Sequence, residues 1–214
     1  MEICRLVDRS GVADCVKKSV AILRTGGVII YPTDTLYGLG ADALSDEAVA
    51  KVYAIKGREE RKPIHCIVAD LAMAEKYAEV DDLARELGKA FFPGPLTLIL
   101  KKRKGIETGI AKGLKTIGIR IPKNPFCLAL AREFGKPFTT TSANRSGYEP
   151  ERSIGKILTQ LRAEAALVDL VIEAGELPAR APSTVVDLTG TRPLILREGA
   201  IPASEIWDTL NSSL

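Results

Sequence analysis

The sequence predicts an α/β protein, a β-sheet with helices packed on it. Two patterns carry this. Short apolar, β-branched runs alternate along the chain with segments whose apolar residues recur every three or four positions. Gly, Pro or a capping residue closes most of these segments. The 214 residues are 46% hydrophobic and 27% charged, an ordinary globular composition that can bury a sizeable core. No internal repeat, long linker or low-complexity tail divides the chain, so a single domain over 1–214 is expected.

Ser10 is placed to cap a first helix in which Val12, Val16, Val20 and Leu23 share a face, ending at Gly26-Gly27. Val28–Tyr31 reads as a buried strand stopped by Pro32. Ser45, followed by Asp46 and Glu47, starts a second helix through Val49, Val52 and Ile55. A strand at Ile64–Val68 and two short helices between Ala72 and Phe92 follow. Pro93-Gly94-Pro95 breaks the pattern before a strand at Leu96–Leu100. Beyond the basic stretch Lys101–Lys115, Thr116–Ile121 alternates as a strand. Pro125–Phe134 and Ser153–Leu161 are helical, with a strand at Phe138–Thr141 between them. Leu167–Ile172, Thr184–Leu188 and Leu194–Leu196 are further strands, and a last helix begins near Ala203.

The net charge of +3 does not by itself argue for nucleic-acid binding; local clustering carries more information. Cys4, Cys15, Cys66 and Cys127 are scattered without a C-x-x-C pair. They read as small core residues in a reducing compartment. No apolar run approaches membrane-spanning length, and Glu2, Arg5 and Asp8 stand where a signal peptide would be apolar. A soluble, cytoplasmic protein with no membrane partner is the expectation.

Lys56, Arg58, Arg61 and Lys62 fall within one seven-residue segment that runs into the Ile64–Val68 strand. Cations held against a rigid edge suit a triphosphate or carboxylate, because they are ordered before binding. A solvated loop with ion pairs to Glu59 and Glu60 explains the same segment equally well. Pro32–Gly40 reads as a strand-end loop whose two threonines and two glycines suit a polar ligand. Neither a Walker loop nor a dinucleotide fingerprint occurs. Thr139–Gly147 places five hydroxyls in eight residues at another strand end. Thr116, Gly118 and Arg120 share one face of their strand, from which the arginine can grip a carboxylate with two donors; an edge-strand arginine in solvent explains the same pattern equally well. Ser183-Thr184 and Arg197 are placed to complete such a cleft. The only histidine, His65, reads as a packed strand residue rather than a base.

Taken in order, seven strings resemble the YrdC-like threonylcarbamoyl-AMP synthases. They are Pro32–Leu39, Lys56-Gly57-Arg58 with Lys62-Pro63, Phe92–Thr97, Thr116–Pro122, Thr141–Asn144 with Ser146-Gly147, Ser183–Leu188 and Leu196–Gly199. The resemblance implies a twisted mixed β-sheet with flanking helices around a positively charged cavity. It implies the use of ATP, L-threonine and bicarbonate to form threonylcarbamoyl-adenylate and pyrophosphate. A separate tRNA-modifying transferase complex would act downstream, on the adenosine beside the anticodon. Carried over by motif position, Lys56, Arg58, Ser142 and Asn144 would line the reaction centre. Arg58, Lys62, Thr116, Ser142 and Arg197 would contact ATP; Thr35, Arg120, Thr140 and Ser183 would hold threonine. Mg²⁺ would arrive with the triphosphate, with Asp34 as an outer-shell partner. A histidine that touches threonine in some relatives matches Ile67 here, and a serine often found near Pro150 is missing.

Two other readings remain open. A non-catalytic RNA-binding module would use the same cations and the Lys101–Lys104 run on phosphates, and direct tRNA binding is compatible with either reading. Only 5% of the residues are aromatic, and no stacking platform is visible. A carbamoyl-transfer domain of the hydrogenase-maturation type would bring an acylphosphatase region and zinc-finger Cys pairs, which this sequence lacks.

Overall fold

A computed structural model describes residues 1–6, 9–57 and 63–211; the side chains of residues 9 and 10 are not described. Among the described residues ten strands form one mixed sheet. In chain order they are β1 (Glu2–Arg5), β2 (Ile29–Pro32), β3 (Tyr37–Gly40), β4 (His65–Ile67), β5 (Leu96–Lys101), β6 (Thr116–Arg120), β7 (Phe138–Ser142), β8 (Leu170–Glu173), β9 (Thr184–Asp187) and β10 (Leu194–Arg197). Across the sheet the order is β1-β8-β2-β3-β7-β4-β6-β5-β9-β10. The β1–β8, β2–β8, β4–β6 and β5–β9 pairs are parallel and the other five antiparallel.

Among the described residues seven helices pack on this sheet: α1 (Arg9–Arg24), α2 (Asp46–Lys56), α3 (Leu71–Ala74), α4 (Asp82–Phe91), α5 (Pro125–Phe134), α6 (Ile154–Leu161) and α7 (Ala203–Asn211). Their ends follow local chemistry. Ser45 caps α2 by accepting from the Ala48 amide, and Gly57 closes it at φ 54°. Asn124 accepts from the Cys127 amide at the start of α5, with Pro125 in the first turn and Gly135 closing it at φ 73°. Helix α1 begins at Arg9, so Ser10 lies inside its first turn rather than at its cap.

The two faces of the sheet are covered unequally. One face buries Ile30, Leu39, Cys66, Leu98, Ile117, Ile119 and Val186 beneath α2, α3, α4, α6 and α7. On the other, α1 and α5 cover Ile29, Tyr31, Ile67, Phe138, Leu170 and Ile172. These residues belong to β2, β4, β7 and β8. Toward β5, β6, β9 and β10 the same face carries polar side chains and no comparable apolar cluster. Strand alternation makes the division: Leu96, Leu98 and Leu100 point into the first core, while Thr97 and Ile99 point the other way.

Three expectations change. Pro32–Gly40 is a hairpin, not a loop: Pro32 pairs with Tyr37 and Ile29 with Gly40. Pro32 is tolerated because the neighbouring β8 pairs only with Ile29 and Ile30. The glycines serve packing, since a Cβ on Gly40 would lie 2.9 Å from the Tyr31 ring, and one on Gly38 3.0 Å from it. Second, β1 and the 3-10 turns at Gly109–Ala111 and Arg162–Leu167 are additional elements. Third, Cys4 and Cys15 are joined by a disulfide, which corrects the reading of four unpaired thiols. Helix α1 returns across β1 and brings their Cα atoms to 5.7 Å, within bridging distance. Cys66 and Cys127 are free and buried, and burial pushes both thiols up.

Thr184 ties the C-terminal segment to the sheet. Its hydroxyl donates to the Ile201 carbonyl at 2.6 Å and accepts from the amides of Gly199 at 2.9 Å and Ile201 at 3.0 Å. Thr184→Val keeps the shape but strands these buried backbone groups. It is expected to lower stability by about 2 kcal/mol, read from the urea midpoint at unchanged m.

Candidate active site

A cavity of about 890 Å³ occupies the half-face that α1 and α5 leave uncovered. This is a usual size for a small-molecule site. Thr35, Lys56, Thr116, Arg120, Thr140, Ser142, Asn144, Ser183 and Arg197 all line it. Nine positions singled out in the sequence thus converge from β6, β7 and β10, the turn after β7, the residue before β9, the β2–β3 turn and α2. Arg58 and Lys62 lie outside the described residues.

Lys56, the last residue of α2, is 3% exposed and reaches across to the end of β7. Its ammonium donates to the carbonyls of Ser142 at 2.6 Å and Asn144 at 2.9 Å, and to Asn144 Oδ1 at 2.9 Å. Ser142 Oγ donates to the same Oδ1 at 2.5 Å, and the Asn144 amide group donates to the carbonyls of Arg145 and Tyr148. The Lys-x-Arg and Ser-x-Asn strings therefore meet through one ammonium, which fixes the turn after β7. An ammonium carries three donors, and here three protein oxygens receive them.

Arg120 ends β6 with 6% exposure. Its Nη2 donates to Asp34 Oδ1 at 2.5 Å and to Thr35 Oγ1 at 2.8 Å. Nε is buried and has no partner in the protein. A guanidinium has five donors; with Nη2 committed and Nε buried, the Nη1 group is left for something in the cavity. Asp34 Oδ2 accepts from the Lys123 amide at 3.0 Å. Both carboxylate oxygens thus serve protein groups.

Across the cavity, Arg197 donates to the Ser183 carbonyl through Nε at 3.1 Å and Nη2 at 2.8 Å, and to Ser183 Oγ at 3.2 Å. Thr97 Oγ1 lies 2.9 Å from Ser183 Oγ. Burial, and then the charge of Arg120, pull the Arg197 guanidinium below its ordinary value. Two cations that feel each other across a cleft favour an anion between them.

His65 lines the cavity rather than lying wholly within the packed sheet. It pairs across strands with Thr140, and its ring sits over Gly118, where a Cβ would come within 2.5 Å of it. Ile67, one turn of the pleat further, is fully buried among Tyr31 and Phe126. Arg152 and Arg180 also line the cavity, as do Glu149 and Asp187. None of these four was singled out in the sequence. Arg180 lies in the 174–183 segment between β8 and β9 and donates to the Asp34 carbonyl at 2.8 Å. Tyr37 anchors the start of that segment, donating to the Gly175 carbonyl at 2.7 Å and accepting from the Ala174 amide at 2.9 Å.

The family model Sua5/yciO/yrdC, described as telomere recombination, matches residues 21–199. The chain belongs to this family. Among Sua5/YrdC relatives, it is 41% identical over 199 residues to a putative threonylcarbamoyl-AMP synthase of Methanocaldococcus jannaschii, covering 93% of this chain and 91% of that protein. It is 34% identical over 192 residues to the threonylcarbamoyl-AMP synthase of Pyrococcus abyssi, covering 89% of this chain and 56% of that one. The crystal structure of P. abyssi Sua5 complexed with L-threonine superposes with a TM-score of 0.85 at 31% identity, over 98% of this chain and 60% of that one. The chain thus spans little more than half of the P. abyssi protein.

The Sua5/YrdC match contains all seven motif strings, and described residues from each of them line one cavity. No helix among the described residues is long and apolar enough to cross a membrane.

Proposed function

We propose that this protein is an L-threonylcarbamoyladenylate synthase, joining L-threonine, bicarbonate and ATP into threonylcarbamoyl-AMP and pyrophosphate. One observation carries the reading. A buried arginine with most of its donors uncommitted shares a cavity with a lysine-fixed Ser142–Asn144 turn, in a chain similar to named threonylcarbamoyl-AMP synthases. Arg120, Thr35, Thr140 and Ser183 hold threonine, with Arg120 on its carboxylate. Thr116, Ser142 and Arg197, with Arg58 and Lys62, take ATP.

The chemistry asks for positioning and positive charge rather than for a protein nucleophile. The threonine amine adds to bicarbonate with loss of water to give a carbamate, and a carbamate oxygen attacks the α-phosphorus of ATP. The bond to the bridging oxygen breaks and pyrophosphate leaves. Negative charge grows on the phosphate oxygens, where cations and hydroxyl donors lower the barrier. Lys56, Arg120, Arg152, Arg180 and Arg197 line the cavity against Glu149 and Asp187, which supports an electropositive interior. Mg²⁺ enters as part of the substrate, riding on the triphosphate. Among the described residues no group of three His, Cys, Asp or Glu side chains is placed to hold a metal ion. The product passes to a tRNA-modifying transferase complex, which is the proposed partner.

Pyrophosphate release from ATP is expected to require both L-threonine and bicarbonate, each omitted in turn. Release that ignores threonine, or none at all alongside tight RNA binding, would overturn this reading in favour of an RNA-binding module.

A further inference from the structure

The hairpin that carries Thr35 also carries a buried carboxylate, Asp34. Asp34 and Arg120 pair with side chains 7% and 8% exposed. We propose that Asp34 is a positioning residue for Arg120, holding the guanidinium in the one orientation that presents its remaining donors to the substrate carboxylate. This deepens the reading under Proposed function and rests on it.

The argument is geometric. A guanidinium on a flexible stem aims a donor at a carboxylate reliably only when its plane is fixed. Asp34 Oδ1 and Thr35 Oγ1 together receive both Nη2 hydrogens. Asp34 cannot swing away, because its Oδ2 accepts from the Lys123 amide at the approach to α5. Its main-chain carbonyl is held as well, by Arg180. With Nη2 anchored and Nε buried, the donor group of Arg120 left open to a ligand in the cavity is Nη1.

A purely electrostatic role predicts the opposite sign. If Asp34 only offset the charge of Arg120, removing its charge would leave a less opposed cation and tighten carboxylate binding. Positioning predicts weaker binding, even though Asp34→Asn makes the site more positive.

The test uses the full chain, with L-threonine affinity from calorimetry without ATP and both KM values from pyrophosphate release. Asp34→Asn is expected to weaken threonine affinity about tenfold or more while KM for ATP stays within threefold and the thermal midpoint within a few degrees. Asp34→Glu keeps the charge but moves the carboxylate by a methylene, and the same loss is expected; it also serves if Asp34→Asn does not fold. In a double variant with Arg120→Lys the loss is expected to be no greater than in Arg120→Lys alone. Unchanged or tighter threonine binding, equal losses for both substrates, or additive losses would overturn the inference. Wild-type protein that neither binds threonine nor releases pyrophosphate overturns the proposed function first. Normal wild-type turnover with an unaffected Asp34→Asn overturns the positioning role alone.

Discussion

Arg120→Lys is expected to raise KM for L-threonine about 100-fold while leaving KM for ATP within threefold. Lysine keeps the charge, so what is lost is the planar fork. The native guanidinium binds Asp34 and Thr35 with one nitrogen and retains donors for the ligand. A single ammonium cannot span both sides. Two charge-assisted hydrogen bonds forgone correspond to about 3 kcal/mol, or about two orders of magnitude. The measurement is threonine-dependent pyrophosphate release at saturating ATP, with the ATP dependence measured in parallel. A KM for threonine within threefold of wild type would remove Arg120 from the carboxylate site. An equal rise in both KM values would instead point to a general collapse of the cavity.

How much of this was legible before folding depended on whether the signal was local. Helix α5 runs over Pro125–Phe134 as read, because Asn124, Pro125 and Gly135 mark its ends. Helix α2 begins after Ser45 as read, and Gly57 closes it. Strand β3 was hidden, because Gly38 and Gly40 resemble turn glycines until the Tyr31 ring that needs their space is placed over them. The short, mostly exposed β1 had no alternation to detect, and without it the approach of Cys4 to Cys15 had no signal.

The site divides in the same way. Residues in the seven strings were legible because their order along the chain is distinctive. Their partnerships were not. Arg120 meets Asp34 across a separation of 86 residues, and Lys56 meets Asn144 across 88. His65 looked like a strand residue and is one, yet its pairing with Thr140 and its seat over Gly118 place it on the cavity floor. Arg180 sits in an irregular segment with no pattern, and only the return of that segment over the hairpin brings it to Asp34.

Lys56→Met is expected to reduce the rate of threonine-dependent pyrophosphate release by at least about 100-fold and to destabilise the fold by about 3 kcal/mol. Methionine fills much of the space of the lysine stem but donates nothing. The carbonyls of Ser142 and Asn144 and the Asn144 amide oxygen then lose a charged donor at a site where Lys56 is 3% exposed. For a chain of this length the stability loss corresponds to roughly a 10 °C drop in thermal midpoint. The pairing of the two effects is the informative part. A lysine acting only as a charge near the phosphates would cost rate and leave stability nearly unchanged. A lysine that only braces the turn would cost stability, with the remaining folded protein turning over at a near-normal rate below its melting range. The ammonium here does the bracing at the wall of the cavity itself, so both losses are expected together. Near-normal turnover of folded Lys56→Met would remove it from the reaction centre, and an unchanged midpoint would mean that the turn after β7 does not depend on it.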